Sequence, residues 1–140
     1  MSRVFWDTNI FIYFFEDHGK QGRNARGLRE RMLARGDQLI TSAMTVGEIL
    51  VKPRQMRNLE LCAEYERAIT ATALVIPFDL NAARRFSILR LHRSLGAADA
   101  IQLACAATVE TDLFITNDSR LSDLKVDGVQ FVVSLDRAPL

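Results

Sequence analysis

Four acidic residues of this chain stand where a carboxylate is costly or oddly placed: Asp7 within VFWDTNIF, Glu48 within TSAMTVGEIL, Asp99 within GAADAIQLACAA, and Asp118 at the end of FITND. An acid amid so much apolar sequence is unfavourable unless it is paired or bound to a metal. Should the fold gather the four, two carboxylates ~6 Å apart would repel by roughly 3 kcal/mol at an effective dielectric of 20, and four acids make six such pairs. A domain with about 5–15 kcal/mol of net stability needs a cation or protons to carry that load. An all-oxygen donor set with no histidine or thiolate nearby in sequence favours Mg²⁺ or Mn²⁺ over Zn²⁺. A metal with few protein ligands keeps positions open for phosphate oxygens, which suits phosphodiester hydrolysis. His18, in a polar stretch, and His92, near a helix end, read as surface or structural residues.

The elements that must position these acids follow from pattern. Residues 4–6 read as a first buried strand, with Thr8 or Asn9 able to cap the next helix. The run IFIYFF, residues 10–15, is apolar on every side and reads as a buried helix or as one whose face meets a second subunit. Residues 16–27 are polar and hold three glycines, which predicts a loop. A helix over 28–35 closes at Gly36. Strand two over 38–41 leads through a capping Ser42 into a helix over 43–51 that Pro53 stops. A longer helix spans 58–73, with Leu59, Cys62, Tyr65, Ala68 and Ile69 along one face. Strand three covers 74–78, and Asp79 or Asn81 caps a helix over 82–92. The alanine-rich helix 97–109 suggests close packing against a sheet. Strand four covers 113–116, a turn or short helix 121–124, and strand five 130–133.

Short apolar strands alternating with helices predict one α/β domain over residues 1–140 with a mainly parallel sheet. Ligands bind such sheets outside the carboxyl ends of the strands, where strand order reverses. Asp7 and Asp118 follow strands one and four, Glu48 lies about one and a half turns into the helix after strand two, and Asp99 lies in the first turn of the helix leading to strand four. All four therefore point to one rim. Asp112 precedes strand four and Asp79 follows an edge strand, so both read as structural.

Composition narrows the class further. With 49% hydrophobic and 25% charged residues the chain has a globular balance, and its formal net charge of +1 names no partner. Cys62 and Cys105 lack a CxxC partner and read as buried reduced thiols. No apolar run approaches the ~20 residues of a membrane span, and no signal peptide is evident, so a cytoplasmic protein with no membrane association is expected. Basic residues fall in three groups: Lys20 to Arg35, then Lys52, Arg54 and Arg57, then Arg84 to Arg93. The second group follows the Glu48 helix most closely and is the candidate for phosphate contact.

DTN at 7–9, TSAMTVGEIL, GAADAIQLACAA and FITND, in that order across nearly the whole chain, resemble the PIN domain, and the length most resembles the VapC-type toxins of prokaryotic toxin–antitoxin pairs. The resemblance implies a five-stranded parallel sheet in order 3-2-1-4-5 flanked by helices. It also implies Mg²⁺/Mn²⁺-dependent ribonuclease activity, a homodimer and a cognate antitoxin. Asp7, Glu48, Asp99 and Asp118 would be catalytic and metal-binding, with Asn9, Thr116 and Asn117 orienting Asp118 or a metal-bound water. The glycine usual before strand four is replaced by Glu110-Thr111, which leaves that turn in question. Alternatives are a stand-alone RNA-processing nuclease, a non-catalytic binding module of the same fold, and a phosphoacceptor regulatory domain. The last would want paired acids after strand one, where only Asp7 stands.

Overall fold

The computed structural model describes residues 1–17 and 19–140; His18 lies outside the described residues. Five strands, β1 (Arg3–Trp6), β2 (Gln38–Ser42), β3 (Leu74–Ile76), β4 (Thr111–Thr116) and β5 (Val129–Ser134), form one sheet in the order β3-β2-β1-β4-β5. Every neighbouring pair runs parallel. Residue alternation along the strands divides the core into two layers. Val4, Trp6, Leu39, Leu113 and Ile115 face one side of the sheet, where Ile10 and Phe11 of α1 (Thr8–Glu16) and Leu28 and Met32 of α2 (Lys20–Arg35) meet them. Phe5, Ile40 and Phe114 face the other, with Leu103, Ala106 and Ala107 of α7 (Ala97–Thr108). Phe5 and Phe114 stack there at 4.8 Å between ring centroids. Burial of β1, β2 and β4 on both faces explains the apolar runs at their centres, whereas the edge strands β3 and β5 keep exposed residues.

Alanines let α7 lie close to its neighbours: a Cβ on Gly128, which has φ +92°, would come within 2.8 Å of the Ala107 carbonyl oxygen. Glycine is required there on both counts. The turn before β4 keeps a left-handed residue without glycine, because Glu110 itself adopts φ 54°. An L-residue pays roughly 1–2 kcal/mol for that conformation.

The structure corrects several expectations about local elements. The stretch 16–27 is not a loop beyond its start, since α2 already begins at Lys20. Asp17 explains this: its carboxylate accepts the backbone N–H of Gly19 at 2.7 Å and of Gly22 at 3.1 Å. A Cβ on Gly22 would lie only 1.8 Å from the Asp17 carbonyl oxygen, so this glycine marks a tight helix–helix approach. Pro53 does not end the helix after β2. That helix, α3 (Ala43–Ile49), stops earlier, and Pro53 sits in the first turn of α4 (Val51–Gln55), where a missing N–H costs nothing. The cap of α1 is neither Thr8 nor Asn9 but Asp7, whose Oδ1 accepts the Thr8 N–H. Strand three is shorter and the next helix earlier than expected: β3 ends before Pro77, Asp79 caps α6 (Leu80–Leu89), and His92 is exposed beyond it.

Other expectations hold as read. Helix α5 (Leu59–Thr72) buries Cys62 and Ile69. Both cysteines are free and buried, and burial pushes the Cys105 thiol up to about 11. Strand four starts two residues earlier than expected, so Asp112 lies inside β4, at the opposite end from Asp118, where it accepts the Arg3 N–H at 2.8 Å. Among the described residues no helix is long and apolar enough to cross a membrane.

Candidate active site

Parallel strands end on one edge, and the segments leaving β1, β2 and β4 there, together with the start of α7, carry the acids. Asp7 is the last extended residue before α1, held in the sheet by its N–H on the Ile115 carbonyl at 3.0 Å. Glu48 is exposed on α3, Asp99 sits in the first turn of α7, and Asp118 follows β4 by two residues. These four line a single hollow of about 290 Å³ together with Thr8, Asn9 and Gln102. The structure thus brings the four acids to one hollow, with Asn9 on its wall.

Asp7 is the buried member, 9% exposed, and its carboxylate is anchored on both oxygens. Oδ1 accepts from the Thr8 N–H at 2.8 Å and from the Gln102 amide at 3.3 Å, while Oδ2 accepts from the Thr116 hydroxyl at 2.9 Å. The same Thr116 oxygen accepts the Asp118 N–H at 3.1 Å, so one side chain ties the tips of β1 and β4 together. Asn117 donates its amide to the Tyr13 hydroxyl at 2.9 Å. Of the three expected orienting residues, Thr116 is the one bonded to site acids.

Beneath Asp7 lies a polar network that sequence reasoning passed over. Gln102, 2% exposed, donates to the Thr45 hydroxyl at 2.8 Å and the Thr8 hydroxyl at 3.2 Å, and its carbonyl accepts from Ser42. Thr8 in turn donates to Glu48 Oε1 at 2.6 Å, so Asp7 and Glu48 are held by one connected set of buried groups. The sequence signal was present: Gln102 is the lone amide in an alanine-rich helix and lies three residues after Asp99, on the same face. Arg120 was also missed. Its guanidinium grips Asp118, with Nη2 at 2.5 Å from Oδ2 and Nε at 3.0 Å from Oδ1, and Nη2 stands 3.7 Å from Asp99. Only its place two residues after Asp118, within turn reach, hinted at this.

The acids feel one another. Burial pushes the Asp99 carboxyl above its ordinary range, and the charges of Asp7, Asp118 and Glu48 add to the push while Arg120 opposes it. The hydrogen bond from Arg120 holds the Asp118 carboxyl below its ordinary range, against a smaller upward push from burial. As the side chains stand, no three acids among the described residues are close enough to share an ion. In chemistry the set does fit a hard divalent cation, because all the donors are carboxylate oxygens. Lys52, Arg54 and Arg57 are exposed on and after α4, outside the hollow's lining.

A PIN domain family model matches residues 4–127. Ribonuclease VapC23 of Mycobacterium tuberculosis is 32% identical over 105 residues, covering 73% of this chain and 82% of that protein. Among solved structures, a toxin–antitoxin complex from Klebsiella pneumoniae aligns with a TM-score of 0.67 at 25% identity, covering 90% of this chain and 94% of that one. VapBC2 from Rickettsia felis, bound to a DNA fragment from its promoter, aligns with a TM-score of 0.75 at 14% identity over 94% of this chain and 98% of that one; at that identity it bears on the fold alone.

Proposed function

The chain belongs to the PIN domain family, and from that membership and the gathered acids we propose that it is a divalent-metal-dependent endoribonuclease, the toxin of a toxin–antitoxin pair. The observation that carries this reading is the hollow that Asp7, Glu48, Asp99 and Asp118 line together. The relative named as a ribonuclease supports the substrate class, and the Klebsiella toxin–antitoxin complex supports an antitoxin partner. A homodimer and a cytoplasmic setting belong to the same proposal.

Asp7, Asp99 and Asp118 would hold Mg²⁺ or Mn²⁺, directly or through water, with Glu48 as a further ligand or as the group that positions the attacking water. When bound, the cation lowers the pKa of that water and offsets charge on the phosphate and leaving oxygen. Thr116 and Gln102 keep the Asp7 carboxylate from rotating, so its oxygens present a fixed direction to the hollow. Thr8 does the same for Glu48. Lys52, Arg54 and Arg57 would meet the RNA backbone as it leaves the site. No histidine base is needed in this reading, in which Glu48 would position the attacking water.

The test is cleavage of total RNA by the purified protein, with Mg²⁺, with chelator, and with Asp7→Asn as control. Cleavage that requires the metal and vanishes in Asp7→Asn is expected. Cleavage that survives both would rule the reading out.

A further inference from the structure

Ion pairs are scarce around this hollow. Among the described residues, those that reach the four acids both come from Arg120, to Asp118 and to Asp99. We propose that Arg120 is a built-in counter-ion that occupies the cation position between Asp99 and Asp118, so that a divalent ion must displace it to bind; this rests on the metal-dependent reading above.

The geometry supports a displaceable plug over a structural pin. The contact is local: the Arg120 N–H also donates to Asp118 Oδ1 at 3.0 Å, so the turn itself delivers the guanidinium, with little loop entropy at stake. The side chain is 70% exposed, and its release therefore disrupts no packing. Its Nε and Nη2 take both Asp118 oxygens in a forked pair. The donor on the β4 side is thus already engaged by a cation. The other acids are engaged differently, Asp7 by neutral donors and Glu48 by the Thr8 hydroxyl, so neither must give up a cation. One positive charge faces two carboxylates, with Nη2 at 3.7 Å from Asp99 and 2.5 Å from Asp118, and a doubly charged ion meets that load better than the arginine does.

Titration calorimetry with Mn²⁺ on wild type, Arg120→Ala and Arg120→Lys, with thermal melts of each protein with and without Mn²⁺, tests the proposal. Arg120→Ala should bind Mn²⁺ about threefold to tenfold more tightly, the range expected for losing an exposed but forked ion pair. Its metal-free protein should melt lower, and its Mn²⁺-induced rise in Tm should be larger than wild type's. Arg120→Lys, which keeps the charge without the fork, should fall between. Equal or weaker Mn²⁺ binding by Arg120→Ala would overturn the proposal while leaving the metal reading in place. So would a Tm deficit of the same size with and without Mn²⁺, which would make the arginine a purely structural contact. Absence of Mn²⁺ binding in every protein would remove the metal reading and this proposal with it.

Discussion

Replacing Gln102 by methionine tests whether the buried network is what fixes the Asp7 carboxylate. Methionine nearly matches glutamine in length and volume, so packing against α7's neighbours is kept and the loss is polar. The amide has two protons for three acceptors, of which the Thr45 contact at 2.8 Å is the shortest and those to Thr8 and Asp7, at 3.2 and 3.3 Å, share the remainder. Its carbonyl is the acceptor for Ser42, which is 0% exposed, as is Thr45. The substitution thus strips a partner from two fully buried hydroxyls, each costing about 1–3 kcal/mol, with part returned by the more apolar side chain. A net loss of roughly 2–4 kcal/mol follows. With an unfolding entropy of about 2.1 cal/mol/K per residue, a chain of 140 residues loses about 3.4 °C per kcal/mol, so Tm should fall by about 7–14 °C. RNA cleavage, measured well below the new Tm, should drop about tenfold to a hundredfold through kcat, because Asp7 loses a support and gains rotational freedom. Gln102→Met protein melting within about 2 °C of wild type, where the entropy scaling demands several times that, and cleaving at its rate would refute the argument.

Other outcomes follow from the same site and its surroundings. Millimolar Mn²⁺ should raise the Tm of wild type but not of Asp7→Asn, whose metal-free form should melt no lower than wild type because one repelling charge is gone; calorimetric melts decide this. Replacing Lys52, Arg54 and Arg57 together by alanine should flatten the log–log salt dependence of RNA binding by about 2, at ~0.7 for each phosphate no longer neutralised, read by fluorescence anisotropy on an inactive Asp7→Asn background. Tyr65 donates to Glu16 at 2.5 Å, and burial, with help from Glu16, pushes its phenol up to about 12 from 10.0. An acid whose folded pKa is raised adds stability below its unfolded pKa and loses it as pH climbs through the folded one. Urea unfolding should therefore show wild type's advantage over Tyr65→Phe intact at about pH 9 and shrinking from about pH 10 toward 12; an advantage that does not change with pH would contradict the assignment.

Much of this protein was legible from the order of its residues. Apolar runs around Phe5, Ile40 and Phe114 specified doubly buried parallel strands, because each side chain on either face had to avoid water. The placement of Asp7 and Asp118 just past such strands, and of Asp99 at a helix start, then followed from how parallel sheets connect. Those signals are local, carried by patterns a few residues long. What they could not carry was any group whose role depends on the path the folded backbone takes. The glycines of residues 16–27 resemble loop residues until Gly22 is seen pressed against the Asp17 carbonyl. Glu110 looks unsuited to its turn, yet takes φ 54° because the surrounding structure sets the backbone there. Gln102 and Arg120 gain meaning only when the fold brings Thr8, Thr45 and Asp7 under one and Asp99 beside the other. The acids were readable by type and strand position; which polar and cationic groups restrain them was decided by tertiary contact, since hydrogen-bond and charge partners are matched in space and leave no periodic trace in the chain.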